Sequence, residues 1–156
     1  DPRSKGIRLS PAIYQGSSLA SLAIAAHETG HAIQHNEGYL PLNLRSSMAP
    51  AVQLASSAAI PLFFIGLFFS YTLTKVGIYL FAAVVLFQIV TLPVEFNASS
   101  RAMLALESNG FITREEYSGT RSVLSAAALT YVAAVLTSLL QLIRLMAIAG
   151  VGRRND

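Results

Sequence analysis

LASLAIAAHETGH, residues 19–31, is an apolar run that ends in the motif H-E-x-x-H. On an α-helix, residues four positions apart lie on one face, about 6 Å apart along the axis, so His27 and His31 can bind one zinc ion. Glu28 lies beside them, where a carboxylate can take a proton from an activated water. Because buried His and Glu side chains need polar partners, the apolar context favours a metal site over a polar surface. The motif predicts one Zn²⁺ ion and metal-assisted hydrolysis, usually of a peptide bond.

The composition indicates a membrane protein. The 156 residues are 53% hydrophobic and only 12% charged, whereas an ordinary soluble domain has about 25% charged residues. The chain contains no Cys, so a zinc site must use His and carboxylate ligands. The net charge of +3 is too dispersed for a nucleic-acid surface, and we expect no nucleic-acid partner.

Three long runs contain no charged residue: 49–74, 76–94 and 122–143. A hydrocarbon core of about 30 Å needs roughly 20 apolar residues in a helix, and each run is long enough. A soluble all-α bundle is the alternative, but too few polar residues remain to surround three such helices. We therefore predict an all-α integral membrane protein with about three transmembrane helices, a zincin-like pair of active-site helices and a short N-terminal strand.

Breaker and capping residues suggest one domain, 1–156, made of four consecutive segments. These are 1–48 with the strand and the H-E-x-x-H helix, 49–94 as a transmembrane hairpin, 95–121 as a helix and loop that carry the ligand Glu, and 122–150 as a transmembrane helix.

The boundaries within these segments follow from local signals. Alternation at Ile7–Leu9 predicts the strand, and Ser17 or Ser18 can cap the H-E-x-x-H helix, which should end near Asn36. We expect a connector at 36–47, a hairpin tip near Thr74 and Lys75, and a separate helix from Glu95 to Ser108 that Asn109 and Gly110 terminate. Thr113 and Glu116 have capping-box spacing.

The third zinc ligand must come from elsewhere in the chain. His27 and His35 are about 12 Å apart along a helix axis, so both cannot bind one ion. A hairpin of two spans returns the chain to the side from which it left, and this places Glu95 on the same side as the histidine pair. A carboxylate on a second helix then completes a His₂Glu site.

Four acids are candidates for this ligand: Glu95, Glu107, Glu115 and Glu116. Glu107 lies near a helix end, and Glu115 and Glu116 lie at a helix start, where the dipole already accounts for acidic residues. Glu95 is the only one with apolar and small neighbours, which favours it. Ser99, one turn beyond Glu95, could orient a ligating histidine or simply be a small residue at a helix contact.

The motifs H-E-T-G-H and, after the predicted hairpin, E-F-N-A-S-S-R-A resemble those of the YugP-like neutral zinc metallopeptidases, a family of integral-membrane proteases. The resemblance extends over nearly the whole chain, and the ligand arrangement is similar to that of the HtpX-type and CAAX-prenyl metalloproteases. It implies His27, His31 and Glu95 as zinc ligands and Glu28 as the general base. Ser99 stands where the wider pattern has Asp.

The resemblance also implies partners and a location. We expect a peptide or protein substrate, membrane proteins included, and a multi-pass protein in the cell membrane of a prokaryote. Family members usually begin with a further membrane helix, so we expect that a native N-terminal transmembrane helix is missing here. A homo-oligomer or a partner subunit is also compatible with the sequence.

Positive charges predict the orientation in the bilayer. Seven Lys or Arg residues fall on the predicted side of the active site and about four on the other, which favours a cytoplasmic active site. The Ile7–Leu9 strand could pair with an extended substrate. Four residues remain candidates for the oxyanion donor: Tyr39, Asn97, Arg101 and Tyr131.

A second class of function is open. The chain could be a membrane transport or scaffold subunit that binds metal without catalysis. Glu28 discriminates between the two, because a pure binding site does not need it.

Overall fold

The computed structural model describes residues 6–152, and every regular element in that part of the chain is a helix. The helices are α1 (Pro11–Tyr14), α2 (Leu19–Asn36), α3 (Leu40–Phe69), α4 (Tyr71–Ser108) and α5 (Arg114–Gly152). Three of them, α3, α4 and α5, are long and apolar enough to cross a membrane. The prediction of an all-α chain with three such helices is confirmed.

The predicted N-terminal strand at Ile7–Leu9 is wrong. Residues 6–10 form no regular secondary structure, and residues 6–152 contain no strand. Alternating side chains are not enough to make a strand, because a strand must exchange backbone hydrogen bonds with another strand. The proposed edge for substrate pairing therefore does not exist at these residues.

The helix ends follow the capping signals. Ser18 caps α2, and its hydroxyl accepts a hydrogen bond from the Ser21 amide at 3.1 Å. Beyond the other end of α2, Gly38 has a φ of 65°, a left-handed conformation that glycine adopts without strain. At the start of α5, Glu116 accepts from the Thr113 amide at 2.9 Å and Thr113 Oγ1 accepts from the Glu116 amide at 3.3 Å, which is the predicted capping box.

Three predicted boundaries differ from the structure. The expected connector at 36–47 is mostly helical, because α3 begins at Leu40 and Pro41 occupies its first turn, where a proline needs no amide hydrogen. The hairpin turns at Ser70, between α3 and α4, and not at Thr74 and Lys75. Finally, α4 continues without interruption through Pro93, so Glu95 lies within a 38-residue helix.

The chain divides into two compact units. The first contains α1, α2 and the chain up to Asn43, together with Thr91–Tyr131. Its core consists of small and aliphatic side chains from α2, α4, α5 and the loop between the last two: Ala23, Ala26, Ala102, Leu106, Ile112 and Leu124.

The second unit contains Leu44–Val90 and the chain from Val132 onward. Its core includes Phe63 and Leu145, both fully buried. A side chain at Gly77 would collide with the backbone of Ala59 and Phe63, at 2.7 and 2.6 Å. The absence of a side chain at Gly77 thus lets α3 and α4 pack closely, as small residues do between membrane helices.

Candidate metal centre

Helices α2 and α4 bring together two histidines and one carboxylate. The i, i+4 spacing places the rings of His27 and His31 side by side, with centroids 4.8 Å apart and planes at 86°. Glu95 Oε2 lies 3.2 Å from His27 Nε2 and 3.5 Å from His31 Nε2. One potential ligand atom from each residue lies within 4.8 Å of the others. The glutamate is 1% exposed and the histidine side chains are 15% and 22% exposed, so the carboxylate is buried while the two rings are partly open to solvent.

These separations fit a single zinc ion. Ligand atoms at 2.0–2.1 Å from a tetrahedral zinc are about 3.3 Å from one another, which is close to the two N–O distances of 3.2 and 3.5 Å. The donor set of two imidazoles and one carboxylate is also a known catalytic zinc set. His27, His31 and Glu95 are therefore close enough together to hold one ion.

The Nδ1 atom of each histidine has its own partner. Ser99 Oγ lies 3.1 Å from His27 Nδ1, the position that an orienting role for Ser99 requires. Gln34 Oε1 lies 3.0 Å from His31 Nδ1. Ligating histidines usually bind a polar group through the second ring nitrogen, which fixes the ring's orientation. Both rings are thus held with Nε2 toward Glu95.

Close contact between the helices makes this convergence possible. A Cβ added at Gly30 would lie 3.0 and 3.2 Å from the carbonyl carbon and Cα of Ala98, and closer still to the carbonyl oxygen. Ala98 is fully buried. Gly30 lies between the two histidines in the motif, and Ala98 lies between Glu95 and Ser99. The missing side chain at Gly30 therefore lets α2 approach the turn of α4 that carries the carboxylate.

The other candidates lie outside this cluster. His35 is exposed at the end of α2, and Glu107 and Glu115 are exposed on α4 and α5. Glu116 is engaged in the capping box. Of the four acids considered from the sequence, the structure brings only Glu95 to the histidine pair.

Glu28 is exposed on α2, and its negative charge acts on His31. Burial, the largest single effect, lowers the pKa of His31, and the hydrogen bonds that its ring makes to Glu95 and Gln34 act in the opposite direction. The charges of Glu95 and Glu28 add to the increase, so the pKa of His31 is raised above its ordinary value in the metal-free protein. Glu28 is thus close enough to the site to influence it while remaining accessible to solvent.

A polar network that the sequence analysis missed lies behind His31. Gln34 is fully buried and donates hydrogen bonds to the Val94 carbonyl at 2.8 Å and to Asn97 Oδ1 at 2.9 Å. Arg101 Nε donates to the same Asn97 oxygen at 2.7 Å. A signal for Gln34 was present, since it lies one helical turn after His31 on the same face. Its partners on α4 could not be identified from α2 alone.

Two of the candidate oxyanion donors, Asn97 and Arg101, belong to this network. Asn97 Oδ1 accepts two hydrogen bonds, and Arg101 forms an ion pair with Glu37 at 2.6 Å while its guanidinium lies 5.8 Å from the Tyr39 ring centroid. These contacts join α4 to Gln34 on α2 and to Glu37 at the end of that helix.

The chain is similar to known proteins along almost its whole length. Residues 1–150 match the model of a family described as "Putative neutral zinc metallopeptidase". The chain belongs to this family. It is also 51% identical over 158 residues to the "Putative membrane protease YugP" of Bacillus subtilis (strain 168), an alignment that covers all of this chain and 70% of that protein. No solved structure matches the chain. The resemblance noted in the sequence is confirmed, and the zinc-peptidase family and the three apolar helices fit a membrane protein of the hydrolase class.

Proposed function

We propose that this protein is a membrane-embedded, zinc-dependent metallopeptidase in which His27, His31 and Glu95 bind one zinc ion and Glu28 is the general base. The observation that carries the proposal is the approach of both Nε2 atoms to one buried carboxylate oxygen, at 3.2 and 3.5 Å. Glu95 is 64 positions beyond His31 in the chain, so their meeting is a product of the fold.

Each side chain has a distinct part in this chemistry. A zinc ion held by the three ligands supplies Lewis-acid activation of water and of a peptide carbonyl. The Glu28 carboxylate accepts the proton that the attacking water loses, and returns it to the nitrogen of the departing amine. Its exposure on α2 suits a group that must reach both water and substrate. Ser99 and Gln34 hold the two imidazoles and exchange no proton with the substrate.

Zinc binding is tested on the full chain in detergent. We expect one zinc per chain in the wild type, and strong loss in His31→Ala and Glu95→Gln. Matched controls are available on the same helices: His35→Ala on α2 and Glu107→Gln on α4 remove exposed groups of the same type. Equal zinc contents for Glu95→Gln and Glu107→Gln would refute the ligand assignment.

Catalysis is tested separately through Glu28. Glu28→Gln keeps the ligands, so we expect it to bind zinc like the wild type and to lose peptide hydrolysis. Membranes that contain either form are compared by quantitative proteomics, and proteins that accumulate with Glu28→Gln are candidate substrates. Full proteolysis by Glu28→Gln would exclude Glu28 as the base.

The same comparison separates the proposal from the rival class. A metal-binding transport or scaffold subunit would hold zinc through the same three ligands, but its function would not depend on Glu28. The presence of an acid next to the ligand pair, exposed and acting on His31, favours hydrolysis. Its substrate would be a peptide or protein, with membrane proteins as the natural class for a site on a membrane-embedded chain.

The proposal includes a multi-pass arrangement with the active site on the cytoplasmic side of a prokaryotic cell membrane. Three apolar helices and the bias of positive residues, seven against about four, support it. Proteolysis of sealed vesicles of known orientation tests the side. Protection of the α2 region in right-side-out vesicles, with cleavage in inverted ones, is the expected result.

A further inference from the structure

We infer that Arg101, Asn97 and Gln34 form a hydrogen-bond chain, in which Gln34 and Arg101 both donate to Asn97, and that this chain keeps the proton of neutral His31 on Nδ1 and so aims Nε2 at the metal. The inference rests on the proposed function, because it assigns positioning residues to the proposed zinc site. None of the three is itself a proposed ligand.

The inner end of the chain is fixed by a backbone carbonyl. Gln34 is fully buried, and one atom of its carboxamide lies 2.8 Å from the Val94 carbonyl oxygen. A carbonyl oxygen can only accept, so this atom must be the amide nitrogen. The carboxamide oxygen of Gln34 therefore faces His31 Nδ1, 3.0 Å away. Since that oxygen can only accept, Nδ1 must carry the hydrogen.

The outer end is fixed by a guanidinium group. Arg101 Nε lies 2.7 Å from one atom of the Asn97 carboxamide, and a guanidinium can only donate, so that atom is the oxygen. The same oxygen accepts from Gln34 at 2.9 Å. Glu37 binds Arg101 Nη1 at 2.6 Å and holds the guanidinium in place. Both ends are chemically unambiguous, so the direction of every bond follows without choosing amide orientations.

His27 has no such constraint. Its Nδ1 partner is the Ser99 hydroxyl at 3.1 Å, which can donate or accept. The two ligands therefore differ, since the tautomer of His31 is set in advance and that of His27 can adjust. This matters because a histidine protonated on Nε2 would donate that hydrogen to Glu95, 3.5 Å away, and could not bind a metal through the same atom. By keeping the hydrogen on Nδ1, the hydrogen-bond chain prevents His31 from adopting the tautomer that is protonated on Nε2.

The protein has only three histidines, so the tautomer of His31 can be measured. The full chain would be labelled with ¹⁵N-histidine and studied without metal in detergent by long-range ¹H–¹⁵N NMR spectra. A pH of about 9, well above an ordinary histidine pKa, keeps the rings neutral. Single His→Ala variants assign the signals, and exposed His35 serves as the internal reference. We expect His31 protonated on Nδ1 in the wild type and on Nε2 in Gln34→Leu.

Zinc affinity, measured by competition with a chromophoric chelator, gives a second readout that does not depend on activity. We expect Gln34→Leu to weaken zinc binding by about 10- to 100-fold, the usual effect of losing a group that orients a ligand. Thr120→Val is the matched control, because Thr120 is also fully buried but donates only within α5, to the Glu116 carbonyl at 2.9 Å. Its zinc affinity should equal that of the wild type.

The outcomes separate the two proposals. Wild-type His31 protonated on Nε2 overturns the inference, and this measurement needs no variant to fold. Unchanged zinc affinity in folded Gln34→Leu overturns it as well. Failure of the wild type to bind one zinc ion would instead refute the proposed function, while the tautomer of His31 would still be measured on its own.

Discussion

Replacing Gly30 with alanine should push α2 away from α4. We expect this to weaken zinc binding strongly while lowering the stability of the protein only slightly or moderately. The new Cβ would lie 3.0 Å from the carbonyl carbon of Ala98 and nearer to its oxygen. Ordinary carbon contacts begin near 3.5 Å, so α2 must move from α4 by a distance on the order of 1 Å. The neighbour is backbone, so no side chain can turn aside to avoid this movement.

The expected magnitudes differ for the two properties. Overpacking lowers the free energy of unfolding by about 1–3 kcal/mol. The higher helix propensity of alanine raises it by about 1 kcal/mol. The net loss of unfolding free energy is therefore small to moderate. Zinc coordination tolerates only about 0.2 Å. A shift on the order of 1 Å between the histidines and Glu95 should therefore weaken zinc binding at least tenfold, which is about 1.4 kcal/mol.

The assay compares chelator competition with thermal unfolding of the metal-free protein. Gly119→Ala is the matched control, since its Cβ would meet only the tip of the Leu19 side chain at 3.2 Å, and we expect unchanged zinc affinity and up to about 1 kcal/mol of added stability. If Gly30→Ala binds zinc as tightly as Gly119→Ala does, the close approach at Ala98 does not set the geometry of the site.

Three further predictions follow from the described contacts. Zinc affinity should fall as the pH is lowered, beginning above the ordinary histidine pKa of about 6.5, because the raised pKa of His31 lets protons compete with zinc at a higher pH. Zinc titrations at several pH values check this. A constant affinity down to about pH 6 would contradict it. Thr113→Ala should lower the unfolding free energy by about 1 kcal/mol through loss of the capping box, measured by thermal melting against Thr130→Ala, an exposed threonine in mid-helix. Glu37→Gln should cost less than about 1 kcal/mol, because Glu37 is 53% exposed and Arg101 keeps its bond to Asn97; a larger loss in the same melt would show that this ion pair supports the site.

Local signals predicted much of the fold correctly. The three apolar runs, the Ser18 cap and the Thr113–Glu116 capping box depend on residues within one helix or one turn, and they appear as expected. The predictions that failed, at 7–9, at 36–47, at the hairpin tip near Thr74 and Lys75, and at Pro93, concerned places where contacts elsewhere in the structure override a local signal. A strand depends on a partner, and a proline in a long helix is accommodated when the rest of the helix is held by its packing.

The sequence alone determined the pairing of His27 with His31, since four residues of helix place two side chains on one face whatever surrounds them. It also favoured Glu95 by its apolar neighbours. Only the tertiary structure decided that Glu95 meets both rings, that Gly30 lies against Ala98, and that Gln34 reaches Asn97. Each of these contacts joins α2 to α4 across more than sixty positions of chain. Periodicity shows which face of a helix is apolar, but it carries no information about which distant helix that face will meet.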